Sequence, residues 1–158
     1  ASGRAYLAFC SEQEREAVLR RLREGGAPGN EKAADADFVR EMVRSGQRNG
    51  YAVRTPDFGG DFTRTRKEAD DGRTSIAMPI VQGAQVIGCM NLTWRTKVIS
   101  LARMVERHGD DLREAVRQVE QRFARTMEPP AGVASPAAAI NGATRVGTSK
   151  GPRPRARA

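Results

Sequence analysis

Residues 75–94 read Ser75-Ile76-Ala77-Met78-Pro79-Ile80-Val81-Gln82-Gly83-Ala84-Gln85-Val86-Ile87-Gly88-Cys89-Met90-Asn91-Leu92-Thr93-Trp94. Two apolar runs flank Gln82-Gly83-Ala84-Gln85, a pattern that predicts a β-hairpin with a four-residue connection containing glycine. Side chains alternate across a strand, so in the second arm Val86, Gly88, Met90, Leu92 and Trp94 share one face. Ile87, Cys89, Asn91 and Thr93 share the other. Proline has no N–H to give to a ladder, so Pro79 is expected at an edge, a bulge or a strand end.

Helical periodicity surrounds this hairpin. Upstream, Ser2–Phe9 reads as a short helix with Gly3 in its first turn. Ser11-Glu12-Gln13-Glu14 is a capping-box pattern opening a second helix, with Val18, Leu19 and Leu22 on one face. Gly25-Gly26-Ala27-Pro28-Gly29 is expected to end it. A third helix, capped by Asp35 or Asp37, carries Phe38, Val39, Met42 and Val43 and is expected to stop near Ser45-Gly46. Asn49-Gly50 then leads into a short strand at 51–54. Thr55–Thr74 is polar, with Pro56 and Gly59-Gly60, and reads as a long loop. Downstream, Ile99–Arg107 suggests a helical turn or two. Asp111-Leu112-Arg113-Glu114 repeats the cap logic ahead of an amphipathic helix whose stripe is Leu112, Val116, Val119 and Phe123. The fold class predicted is α+β, an antiparallel sheet with flanking helices.

Pro129-Pro130 breaks that helix, and residues 129–158 are rich in Ala, Gly, Pro, Ser and Arg. Such a composition cannot bury enough apolar surface to offset ordering entropy, so a disordered basic tail is expected after a body at 1–128. Of the formal charge of +8, the tail's Arg145, Lys150, Arg153, Arg155 and Arg157 supply five, leaving +3 for the rest. The basicity therefore belongs to the tail, where weak, salt-sensitive nucleic-acid contact is one reading and a solubilising extension the other.

Several function classes lose support. No run of about 18 apolar residues is present, so no helical membrane span and no membrane partner are expected. With no secretory leader pattern, the expected compartment is the cytoplasm. Cys10 and Cys89 belong to no metal-spaced pair and are expected as reduced thiols. His108 is the sole histidine and stands among charged residues, so neither a metal site nor a catalytic triad has a basis in the sequence. Nucleotide-binding glycine motifs, GxSxG and HExxH are all missing, and Asp70-Asp71 and Asp110-Asp111 read as solvated or capping acids. The expectation is a non-enzyme with no catalytic residue, metal or cofactor. What remains is a binding surface. Asn91 and Thr93, two hydrogen-bonding groups at i and i+2, are either the solvent side of a sheet or the floor of a pocket for a small polar ligand. Ser75 can add a third group, and the first amides of the Ser2 helix favour an anion.

The ordered set of segments resembles the effector-binding domain of IclR-type bacterial transcription regulators. Ser2-Gly3-Arg4-Ala5-Tyr6-Leu7-Ala8-Phe9-Cys10 followed by Glu12–Glu16 is similar to the opening helices of that domain. Gly50-Tyr51, then Ser75–Ile80, then Val86–Trp94, are similar to its later strands in the same order, over roughly residues 1–123. The wording is nearest to the subgroup that activates aromatic-acid catabolism. The resemblance implies a GAF-like antiparallel sheet, incomplete here, in a chain that begins at the family's pocket helix. It also implies a winged helix-turn-helix ahead of the domain, through which alone promoter DNA is contacted, and assembly as a homo-oligomer, dimer or tetramer. The implied partner is a small organic acid. Backbone N–H groups at Ala1, Ser2 and Gly3 would hold its carboxylate, with Ser75, Cys89, Asn91 and Thr93 around the rest. Arg54 stands where members sensing small keto acids have an aspartate. That change points toward an aromatic or larger acid, held by the fork of the guanidinium. A fold of the same kind serving only oligomerisation or interaction, without ligand, is the alternative.

Overall fold

The computed structural model describes residues 1–27, 30–54 and 71–127. In chain order its elements are α1 (Ser2–Phe9), α2 (Glu12–Gly25), a 3₁₀ turn (Asn30–Ala33), α3 (Ala36–Asn49), β1 (Ala52–Val53), β2 (Arg73–Gln82), β3 (Gln85–Arg95) and α4 (Leu101–Met127). The sheet is antiparallel in the order β1-β2-β3. This is the α+β class read from the sequence. Most of the stretch expected as a loop, and the tail beyond α4, lie outside the described residues.

From Gly88 to Trp94 the hairpin forms with the predicted facing; nearer the turn, the register shift between Ile80 and Val81 pairs Val86 with Val81 and breaks the expected alternation at Val86 and Ile87. Ile76 and Met78 of β2 join Trp94 of β3 and Met104, Leu112 and Val116 of α4 in the main core. Met90, Leu92, Tyr51 and Val53 pack against that cluster from the same side of the sheet. The indole of Trp94 donates Nε1–H to the Ile99 carbonyl at 2.9 Å, which satisfies its one polar atom at the core's edge. The connection is shorter than expected: Gln82 pairs with Gln85, leaving Gly83-Ala84 as a two-residue turn. Gly83 at φ 58 takes the positive φ that such tight hairpins demand of their first residue. β2 also starts earlier than expected, because Arg73 and Thr74 already pair with Arg95 and Trp94.

Pro79 lies opposite Cys89, beyond the two β2 residues that β1 covers, and a register shift follows between Ile80 and Val81. The Val81 amide at this irregularity donates to Glu120 Oε1 of α4 at 2.7 Å. A side chain from the packed helix thus satisfies a backbone donor near the bulge, as burial requires.

Capping explains where the helices begin. Ser11 Oγ accepts the Glu14 amide, Asp35 accepts the amides of Asp37 and Phe38, and Ser100 Oγ accepts the Arg103 amide. Two expectations need correction. α3 does not stop at Ser45-Gly46 but runs to Asn49, with Gly50 in the left-handed conformation beyond it. Gly46 is buried where α3 crosses α1, and a Cβ there would come within 2.7 Å of the Ala8 Cβ. This glycine therefore marks a close helix crossing, not a terminus. Likewise, residues 101–127 form one helix, not two, because Met104, Leu112 and Val116 lie along a single stripe buried on the sheet. Gly109 is carried inside that helix, and Asp111 caps nothing: its carboxylate sits 3.1 Å from Nδ1 of exposed His108.

Candidate functional site

α1 covers the face of the sheet opposite the α4 core. Its contact is made by alanines: Ala5, Ala52 and Ala77 are buried together, with Ala1 and Cys89 packed against them. Side chains this small let the helix backbone lie close to the strands. On the other flank of α1, Ala8 is buried against Gly46. Polar contacts fix the helix ends. Arg4 donates from Nη1 to the Val53 carbonyl at 3.4 Å and stacks over the Phe38 ring at 5.2 Å. Arg15 donates to the carbonyls of Leu7 and Cys10 at 2.6 and 3.1 Å, and Gln47 to that of Ala8 at 2.9 Å, so α1's C-terminal carbonyls have cationic and amide partners. Nothing in the spacing of Arg15 announced that role; a basic residue just after a helix end is the signal that was available.

The register then assigns the remaining residues of this face to rows. Ala52, Ala77 and Asn91 are cross-strand neighbours, as are Ser75 and Thr93, while Pro79 faces Cys89. Arg54 follows β1 directly and its amide donates to the Ser75 carbonyl at 2.8 Å, which extends the second row to Arg54–Ser75–Thr93. Cross-strand side chains on one face stand about 5 Å apart. One side of the sheet thus carries a guanidinium, two hydroxyls and an amide in adjacent rows, next to the start of α1. The first turn of α1 leaves the amides of Ser2 and Gly3 without carbonyl partners inside the helix, since Ala5 donates back to Ala1.

Burial differs sharply along these rows. Ser75 is buried at 5% exposure, whereas Asn91 and Thr93 are exposed and joined to each other, the Asn91 Nδ2–H donating to Thr93 Oγ1 at 3.1 Å. Ala1 is half-buried, Ser2 and Gly3 are exposed, and Cys89 is half-buried with its thiol donating to the Ser2 carbonyl at 3.4 Å. Burial pushes the Cys89 thiol above its ordinary pKa, so it is held in the neutral form. Arg54 keeps only 13% of its side chain exposed and pairs with Asp71, Nη1 to Oδ2 at 3.2 Å. Burial pushes the Asp71 carboxyl up, but the Arg73 amide and the Arg54 guanidinium outweigh it and hold the group below its usual range. All eight residues expected at the site therefore lie on or beside the α1 face of the sheet. Asn91 and Thr93 form its open end.

Two hollows lie elsewhere among the described residues. One of about 550 Å³ opens between the end of β3 and α4, lined by Val98, Ile99, Arg103, Met104, Arg107 and His108. Another of about 430 Å³ lies between α2 and α3, where Arg15, Leu19, Arg23, Val39, Val43 and Arg44 meet. Both are lined mainly by apolar and arginine side chains, and neither includes a residue of the sheet face.

No protein-family model matches the chain. Solved structures do resemble it. A transcriptional regulator from Rhodococcus sp. RHA1 is 20% identical with a TM-score of 0.56, over 80% of this chain and 47% of its own. An IclR transcriptional regulator from Alicyclobacillus acidocaldarius is 23% identical with a TM-score of 0.51, over 75% of this chain and 42% of its own. An IclR family transcriptional regulator from Brucella abortus is 21% identical with a TM-score of 0.50, over 75% and 40%. The chain thus spans less than half the length of these structures. Helices laid on both faces of an antiparallel sheet, in this order, are the fold that the chain shares with bacterial transcriptional regulators of the IclR family.

Proposed function

We propose that the chain is the effector-sensing part of an IclR-type transcription regulator and that its ligand is a small organic acid, aromatic or of similar bulk. The observation that carries this reading is the row Arg54–Ser75–Thr93 beside the first turn of α1. A guanidinium and helix-start amides both favour an anion. Hydroxyl and amide groups at Ser75, Thr93 and Asn91 are suited to ring substituents, and the alanine floor and Cys89 offer apolar contact. The reading makes the chain a binding module, not a catalyst. It also assigns promoter contact to a separate DNA-binding part of the parent protein and expects a homo-oligomer in the cytoplasm.

Thermal melts with a panel of carboxylates test the idea. A ligand at a hundred times its Kd stabilises the folded state by about 2.7 kcal/mol, a clear shift for a small domain. Benzoate and 4-hydroxybenzoate are expected to raise the melting temperature, and Arg54→Gln and Asn91→Ala to abolish or weaken the rise. A flat response across the panel, unaffected by either substitution, defeats the proposal.

A second reading has one observation in its favour. β3 is an edge strand of the described sheet for all of Gln85–Arg95, and such an edge invites strand pairing. On that reading the module serves association and binds no acid. Size-exclusion chromatography with light scattering separates the two, because a monomer that responds to acids leaves no room for it.

A further inference from the structure

The hollow between α2 and α3 divides its charges by helix. Arg15 of α2 and Gln47 of α3 both donate to carbonyls at the C-terminus of α1, to Cys10 at 3.1 Å and to Ala8 at 2.9 Å. Arg23, near the end of α2, donates to the Ala33 carbonyl in the 3₁₀ turn at 2.9 Å. The two helices therefore run antiparallel, with the start of α2 beside the end of α3. Leu19 is buried in the floor between them, and Val39 and Val43 are half-buried there. Beside this apolar floor, Glu12 and Glu16 stand on the α2 wall, and Arg40 and Arg44 on the α3 wall. All four are exposed. Glu16 pairs with Arg23, and Arg40 with Asp37, each along its own helix. Glu12 and Arg44 lie at the same end of the hollow on opposite walls, and among the described residues neither takes part in an ion pair.

We propose that this groove is an interface between two copies of the chain, related by a two-fold axis that runs along the groove. Such an axis lays the α2 wall of one copy on the α3 wall of the other, with the same ends together. Glu12 then meets Arg44 of the second copy and Glu16 meets Arg40, each contact occurring twice. An axis across the groove instead sets α2 on α2 and α3 on α3, an arrangement that like charge disfavours. The page of charges is thus complementary to itself in one orientation only. Exposed pairs within a helix contribute little, so Glu16 and Arg40 lose little by exchanging partners. Leu19, Val39 and Val43 give the contact its apolar centre, and the charged walls its rim. Each helix has 14 residues and is about 21 Å long, so the contact falls at the small end of specific interfaces. Association is expected to be weak and concentration-dependent. The groove includes no residue of the sheet face, so the proposal stands apart from the acid-binding reading.

Sedimentation velocity of the intact chain tests this, at concentrations from about 1 µM to about 1 mM that bracket a weak dimer. Wild type is expected to show a monomer–dimer equilibrium. Glu12→Arg and Arg44→Glu each set like charges across the interface, and each is expected to weaken the dimer by about tenfold or more. An equimolar mixture of the two variants is expected to regain association, because both rim contacts of the mixed dimer pair opposite charges again. The double variant Glu12→Arg/Arg44→Glu is expected to associate as wild type does. Both positions are exposed, so the fold tolerates the changes, and circular dichroism checks it; a misfolded variant would not be rescued by mixing. A wild type that stays monomeric over this range overturns the proposal and leaves the acid-binding reading intact. Association that persists unweakened in both single variants also overturns it and assigns the contact to another surface, such as the β3 edge. Folded single variants that stay monomeric when mixed refute the pairing of the two walls.

Discussion

Gly46→Ala puts one methyl group where α3 meets α1, and two effects of opposite sign decide the outcome. Alanine is favoured over glycine inside a helix by about 1 kcal/mol. Against this, the new Cβ would stand 2.7 Å from the Ala8 Cβ, where ordinary contacts begin at 3.4 Å. Neither methyl can rotate away, so the two helix backbones must separate by about 0.7 Å, the difference of those distances. Overpacking of this kind costs roughly 1–3 kcal/mol, and rigid partners place it in the upper half of that range. The net expectation is a loss of about 1–2 kcal/mol and a melting temperature lower by on the order of 5 °C. Ala8→Gly alone loses helix propensity and a buried methyl, together about 2 kcal/mol. In Ala8→Gly/Gly46→Ala the contact is restored with the methyl on the other helix, so stability is expected within about 1 kcal/mol of wild type. Such non-additivity is the mark of a direct contact. Urea unfolding of the four proteins measures it. If Gly46→Ala is as stable as wild type, or the two single effects add, then the close crossing does not hold α1 on the sheet.

Further substitutions probe the other supports of the face. Ile76 is fully buried in the main core, so Ile76→Val is expected to cost about 1 kcal/mol and Ile76→Ala about 2–5 kcal/mol in urea unfolding; a smaller loss for alanine than for valine contradicts the packing. Glu120→Ala removes the acceptor of the Val81 amide, and hydrogen exchange there is expected to accelerate with little change at Ile76; unchanged exchange at Val81 excludes the tether. Asp71 has its carboxyl below the ordinary value of 3.8, so its folded-state contribution is present above about pH 4 and lost as pH falls through the lowered value. The urea midpoint of wild type is expected to drop toward that of Asp71→Asn between about pH 4 and pH 2, and curves that stay parallel contradict the sign.

Local chemistry that acts within a few residues was legible in the sequence. The facing of Met90, Leu92 and Trp94 against Cys89, Asn91 and Thr93 follows from strand alternation alone. The caps at Ser11 and Asp35 follow from short side chains placed before apolar helical spacing. Glycine is the least legible residue in this sequence, because its meaning depends on what lies across from it. Gly83 sits in a turn and Gly50 follows a helix end, as glycines in sequence usually suggest, but Gly46 is where Ala8 of another helix presses in. The same holds at the site. The row Arg54–Ser75–Thr93 depends on pairing between strands separated by residues 55–70, and the Arg54–Asp71 contact joins residues 17 apart that share no motif. Asp71 read as a solvated acid because a sequence shows an acid's neighbours in the chain, not those in space.

The way α1 is seated constrains any ligand of this face. Ala5 and Ala77 are both fully buried, so helix and sheet touch there with no depth left between them. On the proposed reading, an acid therefore cannot lie beneath the middle of α1. It must enter at the helix start, with its charge at Arg54 and its body along Ser75 toward Thr93 and Asn91, where the sheet is open. That direction fits a flat, rigid acid better than a short keto acid, which would reach the guanidinium but leave the Asn91–Thr93 pair untouched. Benzoates substituted at the 4-position place a hydroxyl farthest from the carboxylate, where on this reading it meets the exposed Asn91–Thr93 pair. Affinity is thus expected to rise from acetate to benzoate to 4-hydroxybenzoate, with the last step lost in Asn91→Ala. A preference for acetate over benzoate would mean that the ligand does not follow this row.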